Sequence, residues 1–304
     1  MGATFIVLAI VVGVACIVLV TLPRTARGFD RGYRYARRIR LAIGVLGGVL
    51  AVAATPCLIG TPVSDECAST AIVAAVGLVA LGAVLPALQR RPAVDLRPRR
   101  VLAIGAHPDD LELACGATLA KLIDDGHEVR TIVMSSGESG GRADLRAVEA
   151  ELGSGYLGAA PPRQHRFCDT RLDLAEHDMV VVLEREIAEF APDIVITHSA
   201  NDYHQDHTAV HRATMRAARR QPTIVCFESP SATPEFAPRF FVDVAEYLDV
   251  KARAIAIHRD QRGKAYMRGD LARGTAVFRG AQGRVEAAEG FEVVRMHASS
   301  VGEL

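Results

Sequence analysis

Cysteine is sparse, lysine is missing from the first 100 residues, and net charge is absent: the 304 residues carry six cysteines and 35 basic against 35 acidic side chains. Six scattered cysteines exclude a disulfide scaffold. The zero balance conceals two unlike parts. Residues 1–100 hold 12 arginines and four acids, a net of +8, whereas the remainder holds 23 basic and 31 acidic residues, a net of −8. An acidic second part argues against nucleic-acid binding, because phosphate contacts need clustered lysine and arginine. Internal repeats and low-complexity linkers are also missing, and a chain of this length allows one large domain or two smaller ones.

Three runs in the first part carry no charge: Ala3 to Leu22, Leu41 to Gly60 and Ala68 to Leu88. Each is long enough to cross a hydrocarbon core as a helix. The first lacks the basic start of a signal peptide, and VGVAC ending at Cys16 is a poor lipoprotein site, so a retained membrane helix is expected. The second and third lack the polar face of a buried soluble hairpin. Between the first two runs, PRTARGFDRGYRYARRIR holds seven arginines; QRRPAVDLRPRR after the third holds five; the short connection TPVSDECAST holds none. The positive-inside tendency then places both basic segments and the second part in the cytoplasm and the N-terminus outside. An integral membrane protein is expected, its arginines lying against anionic lipid headgroups or serving as topology signals alone. Cys57 and Cys67 would share the outer face, as a disulfide or as two free thiols. The expected divisions are a membrane region over 1–92 with three transmembrane helices, a basic linker over 93–100 stiffened by prolines, and a second domain over 101–304.

In that second domain, RVLAIGA, EVRTIVMSS, PDIVITHS and TIVCFES are the apolar runs of strands buried on both faces, and they alternate with helical patterns over Leu111 to Asp125, Ala143 to Leu157, Asp178 to Phe190 and Thr208 to Arg220. This βαβ succession predicts an α/β, Rossmann-like three-layer sandwich around a mainly parallel sheet, with ligands at the carboxyl ends of the strands. AHPDD follows the first strand, SSGESGG the second, and HSANDYHQDH the third, so residues a hundred positions apart can share one edge. GESGG lacks the G-x-G-x-x-G spacing of a dinucleotide-binding oxidoreductase.

A catalytic zinc needs three protein ligands and an open position for water. His107, Asp110 and His207 supply such a set. Asp109 is then free to act as general base and acid toward the activated water, His204 to stabilise an oxyanion, and Asp206 to orient a histidine from behind. The plainer alternative is that Asp109 caps the following helix, with Asp110 and Glu112 in its first turn. His211, four residues after His207, would close the site as a fourth ligand and is placed at the surface or behind the ligands. His198 reads as a core histidine and Cys115 as packing; Cys168 and Cys226 pair with no ligand set.

Taken together, AHPDD, HQDH (with Gln205 where proline is common), LRAVEAELGSGYLG, CDTRL, KARAIAIHRDQ and AAEGFEVVR resemble, in order, the zinc-dependent N-acetyl deacetylases of the LmbE-like, or PIG-L, type, over Val101 to Arg295. The resemblance implies the same roles: metal on His107, Asp110 and His207, Asp109 as base and acid, His204 at the oxyanion. It adds substrate contacts on Arg146 and Asp169, whose alternatives are an i,i+3 pair of Arg146 with Glu149 and a turn at Asp169. His258 and Gln261, in what reads as a helix, fall near the site. The implied activity is removal of acetyl from an N-acetylglucosamine-type small molecule or lipid-linked glycan, with Zn2+ or another divalent cation. The competing readings are a thiol-conjugate amidase and a non-catalytic membrane sensor; against the latter, Asp109 is intact beside intact ligands.

Overall fold

A computed structural model describes residues 3–33, 35–55, 65–89 and 97–297, and the chain divides into two compact units, residues 1–91 and 92–304. In the first unit the helices are α1 (Ala3–Thr21), α2 (Pro23–Gly32), α3 (Ala36–Ala54) and α4 (Asp65–Val84), the last prolonged by a 3-10 turn over Leu85–Leu88. α3 packs between α1 and α4. Glycine permits the first of these approaches: a Cβ on Gly13 would stand 2.5 Å from the Gly47 carbonyl oxygen, and one on Gly47 would stand 2.5 Å from Cys16 Cβ. Small residues that bring helix backbones together are the usual contact where the surroundings are as apolar as the side chains. Arg40 closes the end of α1, donating from Nη2 to the Val20 carbonyl at 2.7 Å and from Nη1 to Asp30 at 3.3 Å. It thereby supplies a donor to carbonyls that have no intrahelical partner.

Among the described residues one helix, Asp65–Leu88, is long and apolar enough to cross a membrane, and only 6% of its apolar stretch is buried. The apolar stretch described in α1, Val7–Thr21, is shorter, and α3 carries Arg37, Arg38 and Arg40 near its start. Cys57 and the connection through Ser64 lie outside the described residues.

The second unit is built on a seven-stranded sheet of order β3-β2-β1-β4-β5-β7-β6. Its strands are β1 (Arg100–Gly105), β2 (Glu128–Ser135), β3 (Arg163–Phe167), β4 (Ile194–His198), β5 (Thr223–Phe227), β6 (Phe240–Asp243) and β7 (Ala288–Arg295). β3 through β5 in that order pair in parallel, and β7 runs antiparallel to both β5 and β6. The sheet is therefore mixed and mostly parallel. Its helices are α5 (Asp110–Asp124), α6 (Ala143–Leu157), α7 (Glu176–Phe190), α8 (Gln205–Ala217), α9 (Leu248–Ile257) and α10 (Gly269–Gly283). Strand periodicity sorts the two cores. Val101, Ala103, Ile194 and Ile196 pack with Leu119, Leu157 and Val250 of α5, α6 and α9, while Leu102, Ile104 and Val195 pack with Leu183 of α7 and Val210 of α8 on the other face.

Three strands depart from the sequence reading. β3, RQHRF, is an edge strand with no apolar run; β6 is four residues long, and β7 is buried only over its first half. His258 also falls just outside the helix expected for it, as the C-cap of α9, with Gln261 in the 3-10 turn that follows.

α5 is broken at Cys115, whose φ of −132° and ψ of 18° interrupt the helix. The break leaves carbonyls of the first half and N–H groups of the second without intrahelical partners. Lys251 and Glu289 fill both vacancies: Lys251 Nζ donates to the Ala114 carbonyl at 3.1 Å and to Glu289 at 2.5 Å, and Glu289 accepts the N–H groups of Thr118 at 2.7 Å and Ala117 at 3.2 Å. Two remote sequence segments thus hold the helix whose first residue is Asp110.

Candidate functional site

β1 lies between β2 and β4, so the chain leaves the sheet in opposite directions at the carboxyl ends of β1 and β4, and a crevice opens there. The loop after β1 carries His107 and Asp109 and enters α5 at Asp110; the loop after β4 carries Asp202 and His204 and enters α8, whose first turn carries Asp206 and His207. His107 Nδ1 stands 3.4 Å from Asp110 Oδ2, and His207 Nε2 stands 3.4 Å from Asp110 Oδ1. Two ligands of a tetrahedral zinc, each about 2.1 Å from the ion, are about 3.4 Å apart.

In both rings the nitrogen turned away from Asp110 meets carboxylate. His107 Nε2 is 3.0 Å from Asp169 Oδ1 and 3.2 Å from Asp206 Oδ2, and His207 Nδ1 is 2.9 Å from Asp202 Oδ2. Such backing fixes the tautomer and aims the other nitrogen at a cation. Asp110 is held equally firmly: Oδ2 accepts the N–H groups of His107 at 2.7 Å and Ala106 at 2.9 Å, and His198 Nε2 lies 3.1 Å away. The carboxylates draw positive charge to the rings. Burial alone would lower the His207 pKa, yet Asp110 and Asp202 outweigh it and hold it at about 9; burial of His107 is likewise outweighed, by Asp110, Asp169 and Asp206, and its pKa is raised. A divalent cation meets the same demand, and the donor set fits one.

His198, by contrast, is fully buried, stacks on His207 with ring centroids 4.0 Å apart, and is pushed down to about 4 by burial, so it stays neutral behind Asp110. His204 caps α8: its Nδ1 accepts the Asp206 N–H at 3.2 Å, which leaves the proton on Nε2. Burial lowers its pKa further. A neutral imidazole with an N–H to donate results. His211 bonds the His198 carbonyl through Nδ1 at 2.9 Å, behind the candidate ligands.

Asp109 occupies the N-cap position of α5 but makes no capping bond with its side chain. Its Oδ1 instead accepts from Arg146 Nη2 at 2.9 Å, both groups being buried, and Arg146 Nη1 donates to the Gly137 carbonyl at 2.7 Å. Gly137 has a φ of +66°, and a Cβ there would stand 2.2 Å from Arg146 Nη1, so the loop closes on the guanidinium only as glycine. Arg146 forms no pair with Glu149, which accepts the backbone N–H groups of Arg259 and Asp260. Asp169 is more than a turn residue: one oxygen meets His107 and the other accepts the Ser139 N–H at 2.8 Å. The candidate ligands, His204, Arg146 and Asp169 line one cavity of about 250 Å3, together with Lys264 and Tyr266. His258 and Gln261 are buried away from that lining; His258 Nε2 faces Glu112 at 3.6 Å.

The family described as GlcNAc-PI de-N-acetylase, PIG-L, matches residues 102–218. An uncharacterized deacetylase of Escherichia coli, YaiS, is 40% identical over 167 residues, which cover 52% of this chain and 90% of that one. The chain belongs to the PIG-L deacetylase family. A 1D-myo-inositol 2-acetamido-2-deoxy-alpha-D-glucopyranoside deacetylase of Thermobifida fusca is 27% identical over 40% of this chain and 55% of its own length, so the chain spans about half of that relative. Among solved structures, the conserved protein TT1542 of Thermus thermophilus superposes with a TM-score of 0.58 at 25% identity, over 64% of this chain and 94% of that one.

Within this PIG-L fold the sequence reading overlooked Asp202 and the part His198 takes behind Asp110. Asp202 lies five residues before His207 in a quoted segment, and Ser231 Oγ, 2.7 Å from its Oδ1, approaches from the loop after β5. Only the fold brings that serine near.

Proposed function

We propose that this chain is a membrane-anchored, zinc-dependent N-acetyl deacetylase acting on an N-acetylglucosamine-type glycoconjugate. The observation that carries the reading is the pair of imidazoles, each backed by carboxylate, that converge on Asp110 at 3.4 Å. His107, Asp110 and His207 would hold the cation, which when bound supplies Lewis acidity, making water a nucleophile near neutral pH and polarising an amide carbonyl. Asp109 takes the proton from the attacking water as the C–O bond forms and passes it to the amine nitrogen as the C–N bond breaks, leaving acetate and a free amine. Arg146 holds Asp109 in place through its Nη2 hydrogen bond. His204 donates its Nε2–H to the developing oxyanion, and Asp206 and Asp202 hold the two ligand rings. Arg146 and Asp169 also present the substrate's edge of the cavity. The substrate named for the Thermobifida relative, an N-acetylated glucosaminide, supports this class.

The membrane half of the reading rests on the little-buried helix Asp65–Leu88, on the glycine contact between α1 and α3, and on the arginine bias, which puts the catalytic unit in the cytoplasm. Reporter fusions at Leu304 and Ser64 should read cytoplasmic and external; an external signal at Leu304 contradicts it. For the activity, the full chain in detergent is incubated with N-acetylated sugar conjugates and free amine is followed. Amine release that a chelator abolishes is expected; none from any conjugate, with metal present, contradicts the reading.

A further inference from the structure

A cavity of about 330 Å3 is lined by Ile194 and Thr223, the first residues of β4 and β5, whereas the candidate metal centre stands at the carboxyl ends of the strands. The two cavities share no residue. The walls of this one are hydrocarbon: Ile196 and Val225 from the sheet, Leu122 from α5, Phe240 and Val242 from β6, and Phe291 from β7. Its volume falls within the roughly 300–1,000 Å3 of small-molecule sites. The reaction described above makes no use of it.

Two side chains of that lining carry a polar atom with no hydrogen-bond partner among the described residues: Thr118 at Oγ1 and His127 at Nε2. Thr118 is 2% exposed and His127 6%. Polar groups left unmet at such depth cost free energy that folded chains ordinarily avoid. The proton on His127 is fixed, because Nδ1 accepts the Arg99 N–H at 3.0 Å and Nε2 is left to donate. Burial lowers the pKa of the ring, which keeps it neutral. A hydroxyl group suits both orphans, since it accepts from an imidazole N–H and donates to a threonine oxygen. Charge narrows the choice further. Lys121 is matched by Asp125 at 2.9 Å, and the other charged residue of the lining is Asp243, so an anion meets surplus negative charge. A cation gains nothing from the His127 donor, and a sugar would leave most of its hydroxyls against hydrocarbon.

We infer that this cavity is a second binding site, separate from the candidate metal centre, for a small, uncharged, mostly hydrocarbon alcohol whose hydroxyl meets Thr118 and His127. The inference goes beyond the deacetylase reading and needs no turnover for its test. Val242 and Val285 line the cavity from half-buried positions, where Val242→Trp and Val285→Trp fill the space with little risk to folding. Thr118→Val removes the hydroxyl at nearly constant shape.

The full chain, carrying isotope-labelled histidine, is placed in lipid nanodiscs and titrated at neutral pH with n-octanol, octanoate and octylamine. The NMR signal of the His127 ring, assigned by its loss in His127→Gln, reports occupancy. It is local to the cavity, so partition of a probe into lipid changes the free concentration and not the reading. A saturable shift with n-octanol is expected. Affinity should fall about tenfold or more in both filled variants and roughly 3- to 10-fold in Thr118→Val, the worth of one hydrogen bond. Octanoate and octylamine should bind at least about tenfold more weakly than the alcohol. No saturable shift, a shift that persists in folded filled variants, or tighter binding of either charged probe overturns the inference. Binding that appears only once residues 298–304 are removed also overturns it, and gives the cavity to the chain's own end.

Discussion

Arg146 Nη2 donates to Asp109 Oδ1 at 2.9 Å with both side chains buried, and the same guanidinium holds the Gly137 carbonyl at 2.7 Å. One side chain therefore fixes both the proposed base and the loop after β2. A lysine cannot span both partners, because its ammonium is a point charge without the planar fork. Arg146→Lys should keep its metal and lose about 100-fold in kcat/KM, the usual cost of a slightly misplaced catalytic group. Kinetics beside elemental analysis of the same preparation checks this.

The buried pair of Lys251 and Glu289 seals the break in α5. Lys251→Met or Glu289→Gln should each cost about 3–5 kcal/mol, because the remaining charge or the exposed backbone groups stay buried and unmet. The double substitution should cost less than the sum of the two. Urea unfolding of the four proteins measures it.

Asp202 accepts from His207 Nδ1 at 2.9 Å and acts on the proposed cation through that ring. Asp202→Asn should lower zinc affinity about 10- to 100-fold while secondary structure is unchanged. Competition against a chromophoric chelator gives the value; an unaltered affinity would show that His207 needs no such support.

Burial holds His198 at about 4, below the ordinary value of a free histidine. The unfolded chain therefore takes up a proton near pH 6.5 that the folded chain refuses. The stability tied to the neutral ring is complete above about pH 6.5 and is lost as pH falls toward 4, by at most about 3 kcal/mol. His198→Asn should flatten the fall in unfolding free energy between pH 7 and pH 5 by about one proton, measured in chelator so that metal uptake does not contribute.

The parallel strands and their helices were legible because burial on both faces writes continuous apolar runs such as VLAIG and IVIT. β3 was not, because an edge strand can be polar. The clustering of the candidate ligands was legible for a similar reason: His107 and Asp110 lie three residues apart where β1 gives way to α5, and His207 follows another strand end. Arg146 was assigned to substrate by resemblance, whereas its bond to Asp109 depends on how α6 packs beside α5, which no local pattern encodes. Lys251 and Glu289 stood in recognisable segments without a part to play until the break at Cys115 supplied one.

The central claim divides metal binding from proton transfer across two adjacent aspartates. Metal content and amine release, measured together on Asp109→Asn, His107→Ala, Asp110→Ala and His207→Ala, test it most directly. The account predicts that the last three lose both, and that Asp109→Asn keeps its metal while turnover falls by about 100-fold or more. Metal loss in Asp109→Asn equal to that in the other three would contradict it.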